Sequence, residues 1–110
     1  MDKRILIPTD FSKNALNATR YALDLYARLN CEFYFLNVFR LDSYTTNTLI
    51  MPEPGSAEYE TAKGASEEAF AKLLDMLELH HDNPKHRYHT ISSFNFLSEA
   101  IKQTIASKDI

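Results

Sequence analysis

Five consecutive residues, Pro8-Thr9-Asp10-Phe11-Ser12, place a carboxylate between two hydroxyls directly after the apolar run Ile5-Leu6-Ile7. If that run is a strand and a helix follows Ser12, the segment lies where open α/β sheets bind ligands, beyond the carboxyl end of a strand. The Asp10 carboxylate can accept hydrogen bonds from a ribose or an amide, and the free N–H groups of the helix offer a partial positive charge to an anion. The same residues also suit a plainer task, an exposed Asp helping to cap the helix. Ser12 and Asp10 do not form a hydrolase pair. A nucleophilic Ser needs an adjacent base and an oxyanion hole, and nothing here resembles a nucleophile elbow.

The four histidines, His80, His81, His86 and His89, carry a common metal-ligating side chain. They straddle a Pro-containing turn without an ordered His-x-x-x-His spacing or a cysteine to join them, so solvated surface positions are expected and no metal site. Asp10 after a first strand also suits a phosphoacceptor receiver, but that chemistry needs an Asp at the end of strand three, where His89, Thr90 and Ile91 supply none. Phe33, Tyr34, Phe35 and Phe39 could form a base-stacking platform. No basic residues interleave with them, and core packing explains them better.

The elements that must position Asp10 follow from the periodicity. Arg4 to Ile7 reads as a strand closed by Pro8, which cannot continue a central ladder. Ser12 is an N-cap, and Ala15, Ala18, Thr19, Ala22, Leu25, Tyr26 and Leu29 recur at steps of three and four, predicting an amphipathic helix of about 18 residues. Cys31 to Phe39 is apolar on both faces, the pattern of a strand sandwiched between helices in a parallel sheet. A long connection over 40–57 contains Pro52, Pro54 and Gly55. Glu58 to Leu79 carries a second helical stripe despite Gly64, Arg87 to Ser92 a third strand, and Phe94 to Ser107 a third helix. The order is βαβαβα, which defines an α/β class with an open parallel sheet and right-handed crossovers.

Composition sets the outer bounds. At 110 residues, 45% apolar and 25% charged, the chain is one ordinary globular domain at most. A net charge of -3 with scattered Lys and Arg leaves no footprint for nucleic acid. The N-terminal apolar run is too short for a signal peptide or a membrane span, so a cytoplasmic location is expected. The single cysteine, Cys31, fits a reducing compartment and reads as a small buried apolar residue.

Lys3 to Ser12 (KRILIPTDFS), Asn14-Ala15, Tyr21-Ala22 and Phe35-Leu36-Asn37-Val38 together resemble the opening of universal stress protein domains, in which a histidine commonly stands at the position of Asn37. The order of elements, the long connection after strand two and the Asp109-Ile110 ending agree with that family. The resemblance spans residues 1–110, most specifically the first forty. It implies an adenine nucleotide alpha hydrolase-like, Rossmann-like sheet with strand order 3-2-1-4-5, of which the last strands would be lacking, so that 1–110 reads as a partial domain.

For function, the resemblance implies ATP as the cofactor of nucleotide-binding members, with Pro8, Thr9 and Asp10 bordering the adenosine and the backbone at Val38 meeting the base. Such members hold phosphates on a loop of the form G-x-x-G-x9-G-[ST], where backbone N–H groups must approach without a Cβ in the way. Only Gly55 and Gly64 are present, neither in that context. Two functions follow as expectations: a stress-response module binding an adenine nucleotide in its full-length form, or a non-enzymatic dimerisation or interaction module that binds none. No catalytic residue is expected in either. A bare edge on strand one would be a template for self-association, most simply as a homodimer.

Overall fold

The computed structural model describes residues 3–39, 57–80, 83–94 and 97–110. The elements run β1 (Lys3–Pro8), α1 (Lys13–Leu25), β2 (Cys31–Val38), α2 (Ala57–His80), β3 (His86–Ser93) and α3 (Leu97–Lys108). The expected connection over 40–57 lies outside the described residues, except that α2 begins at Ala57. The expectation about Gly55 falls outside them too.

The strands form one parallel sheet in the order β1-β2-β3, in register from Lys3↔Cys31 and Cys31↔His86. β2 is central, and its burial on both faces follows the sequence pattern. Phe33 and Phe35 are fully buried on one face, and Tyr34 and Leu36 are buried on the other. The first face gathers Ile7, Cys31, Phe33 and Phe35 with Leu23 of α1 and Phe70 and Leu77 of α2 into the core cluster. α3 contacts β2 and lies on the second face, where Arg4 Nη1 reaches the Lys108 carbonyl at 3.3 Å and Arg4 Nε pairs with Glu32 at 3.4 Å. Helices thus cover both sides of an open sheet, as parallel strands require.

Pro8 closes β1 as expected, and the next residue restores the ladder, with Thr9 N–H donating to the Leu36 carbonyl at 2.8 Å. α1 is shorter than the expected 18 residues, ending after 13. Leu25 and Leu29, read as part of its inner stripe, are exposed, while Leu23 is buried instead. Side chains at and just before the start of β3 bond the chain that follows α1. Asn83 Nδ2 donates to the Ala27 carbonyl at 2.9 Å, Lys85 Nζ to the Arg28 carbonyl at 3.2 Å, and His86 Nε2 bonds the Tyr26 carbonyl at 2.9 Å. These bonds hold the carbonyls of the C-cap Tyr26 and of the two residues after it, Ala27 and Arg28.

α3 begins three residues later than the sequence pattern predicts. Phe94 instead joins Phe39 and Tyr59 in an aromatic cluster with centroids 5.5 to 6.2 Å apart. The helix ends in a left-handed residue, Asp109 at φ 55, and Ile110 N–H closes back on the Ile105 carbonyl at 3.1 Å, the long bond of a Schellman-type cap.

Candidate functional site

The turn from β1 into α1 is built by three side chains that each take up a backbone donor. Thr9 Oγ1 accepts from Phe11 N–H at 3.1 Å, Asp10 Oδ1 from Ser12 N–H at 2.9 Å, and Ser12 Oγ from Ala15 N–H at 3.1 Å. The chain reverses at Phe11, whose φ of 64 is left-handed. That conformation is uncommon outside glycine. The Phe11 ring holds it by packing edge-on against Phe70 of α2, centroids 5.0 Å apart.

This turn forms one wall of an open cleft of about 540 Å³ at the carboxyl ends of β1 and β2. Pro8, Thr9 and Asp10 line it from the end of β1 and the turn after it, Ser12, Asn14 and Ala15 from the start of α1, and Leu36, Asn37 and Val38 from the end of β2. All four residues expected at a site, Pro8, Thr9, Asp10 and Val38, therefore face one hollow. Leu36 and Val38 give it an apolar side, and Asp10, Ser12 and Asn14 a polar one. Helix geometry leaves the N–H groups of Lys13 and Asn14 without an intrahelical acceptor at the same end. Hydrogen bonds from Ser12, side chain first and backbone second, hold the Asp10 carboxyl below the usual carboxylate range. At neutral pH the cleft carries a carboxylate at its rim, and Asp10 both caps and stays exposed.

Leu36 and Asn37 were the site residues hardest to foresee, since a buried central strand gives no sign of which side chains reach its end. Asn37 is buried and donates through Nδ2 to the Thr9 carbonyl at 2.9 Å. A smaller hollow of about 280 Å³ lies behind the turn between α1 and α2, walled by Phe11, Leu16, Leu73 and Met76 with Lys72 and Thr19.

The histidines part company with the sequence reading at one position. His86 is buried, not solvated, because its ring meets Phe33 edge-on at 4.9 Å and its Nε2 serves the Tyr26 carbonyl. A carbonyl can only accept, so Nε2 carries the hydrogen, and Nδ1 is buried with no partner among the described residues. His89 stacks on Tyr34 at 4.7 Å, with its Nε2 3.8 Å from Glu32. His80 is exposed and His81 lies outside the described residues. Among the described residues no three His, Cys, Asp or Glu side chains are placed to hold a metal ion.

An open parallel sheet covered by helices, with a cleft beyond the carboxyl ends of adjacent strands, defines a Rossmann-like α/β protein. The model of the universal stress protein family matches residues 1–110, and the chain belongs to that family. Among solved structures it is similar to the universal stress protein UspA from Lactobacillus plantarum, with a TM-score of 0.69 at 18% identity, over 97% of this chain and 70% of that one. At that identity the likeness speaks for the fold. No curated protein matches the chain by sequence. No helix among the described residues is long and apolar enough to cross a membrane.

Proposed function

We propose that the chain is a cytoplasmic stress-response module that holds the nucleoside half of an adenine nucleotide in the β1–β2 cleft. The observation that carries this reading is the convergence of Pro8, Thr9, Asp10 and Val38 on a single cleft. The apolar Leu36–Val38 side suits a base, and the Asp10 carboxylate, with one oxygen engaged by Ser12 N–H at 2.9 Å, keeps acceptor capacity for a ribose diol. The role is non-enzymatic. Ser12 Oγ caps α1 by accepting from Ala15 N–H, and the Asp10 carboxylate beside it is engaged by Ser12 N–H.

Gly64 lies within α2 and forms no phosphate-binding loop. Adenosine and ATP should therefore bind this chain with similar, weak affinity. Calorimetric or NMR titration with both ligands tests the reading, and it fails if neither produces shifts at the Pro8–Ala15 or Leu36–Val38 amides at millimolar concentration.

A second reading, a homodimer or interaction module without nucleotide, is favoured by the edge of the sheet. Among the described residues β1 pairs only with β2, which leaves its other side without a strand neighbour. Self-association through that edge and absence of ligand shifts in the titration would favour this reading over the first.

A further inference from the structure

We propose that Ser66, which lies on α2 away from the cleft wall, is a positioning residue for the candidate site and acts through Asn37 on the Thr9 peptide. Ser66 Oγ donates to Asn37 Oδ1 at 2.8 Å, and Asn37 Nδ2 donates to the Thr9 carbonyl at 2.9 Å. Ser66 Oγ also lies 2.6 Å from Ser92 Oγ on β3. The one hydroxyl hydrogen of Ser66 is engaged by Asn37, so Ser92 is the donor in that pair. The Thr9 carbonyl can only accept, which sets the Asn37 amide with nitrogen towards Thr9 and oxygen towards Ser66. The bonds thus run in one direction, from β3 through α2 and β2 to the turn after β1.

Thr9, Asn37 and Ser66 are each less than a tenth exposed, so water cannot replace a lost partner cheaply. The Thr9 peptide is the point at which the site turn is anchored. Its N–H is tied to the Leu36 carbonyl at 2.8 Å and its carbonyl to Asn37, immediately ahead of Asp10 and the left-handed Phe11. Ser66→Ala leaves Asn37 Oδ1 without its donor and frees the amide to reorient, which releases the carbonyl side of that anchor. The consequence for a ligand rests on the nucleoside reading above, whereas the consequence for the turn does not.

The test compares wild type with Ser66→Ala, Asn37→Leu, the double variant, and Leu77→Val as a core control in the same helix. Two quantities are measured: amide hydrogen exchange at Phe11 and Ser12, whose N–H groups bond Thr9 Oγ1 and Asp10 Oδ1, and the dissociation constant for adenosine. Ser66→Ala should speed exchange at those two amides well beyond the change in Leu77→Val and weaken adenosine on the order of fivefold or more, the scale of typical coupling between sites. The double variant should be no worse than Asn37→Leu, because the residues act as one relay. Exchange at Phe11 and Ser12 that rises no more in Ser66→Ala than in Leu77→Val overturns the proposal, whether or not adenosine binds. Faster exchange in a protein that never binds adenosine upholds the positioning role and sinks the nucleoside reading instead.

Discussion

Phe11 meets Phe70 edge-on, with ring centroids 5.0 Å apart and planes at 78°, from a backbone held at φ 64. The contact joins the turn that carries Asp10 to the core, because Phe70 is 2% exposed and belongs to the main cluster. A left-handed residue with a side chain costs about 1–2 kcal/mol, and the half-buried Phe11 ring works against that cost through its contact with Phe70.

Phe70→Ala should therefore cost about 3–5 kcal/mol in chemical denaturation, the usual range for a truncated core aromatic. Phe11→Ala should cost less, since Phe11 is half-buried. A double-mutant cycle should return a coupling of about 0.5–1.5 kcal/mol for the ring pair. Strict additivity would show that the rings do not support each other.

Gly64 offers a gain. A Cβ added there meets nothing within 4 Å, and the residue sits inside α2. Gly64→Ala should stabilise the protein by about 0.5–1 kcal/mol, by restoring helix propensity and restricting the unfolded chain. A lower melting temperature in calorimetry would contradict this.

The hydrogen bonds that lower the Asp10 pKa act in the folded state only. A depressed carboxyl contributes stability above its unfolded pKa, about 4, and loses it as pH falls through the lower folded value. Asp10→Ala should accordingly lower the melting temperature slightly at pH 7, with the gap to wild type narrowing below pH about 4. Because Asp10 is exposed, the effect is small. A gap that widens in acid would reverse the sign.

Leu6 is half-buried on β1, the strand with a single neighbour among the described residues. If that edge mediates self-association, sedimentation velocity should show mass rising with concentration, and Leu6→Lys should shift the distribution to monomer, as charge on an edge strand blocks pairing. A monomer at all concentrations in the wild type would remove the edge as an interface.

The sequence by itself determined the βαβαβα order, the sandwiched β2 and the turn at Pro8–Ser12, because strand and helix periods are local properties that adjacent residues carry. It marked Pro8, Thr9 and Asp10 from their place beside those elements, and Val38 from the family resemblance alone. Only the tertiary structure decided how far α1 runs, why Leu25 is exposed, and that His86 is buried. Those outcomes depend on partners far along the chain: His86 meets the Tyr26 carbonyl 60 residues away. The same holds for Asn37. Buried in an apolar strand it gives no sign of its partners, and its bonds to Thr9 and Ser66 bridge 28 and 29 residues. A buried polar group must find a partner, but which one is settled when the layers close.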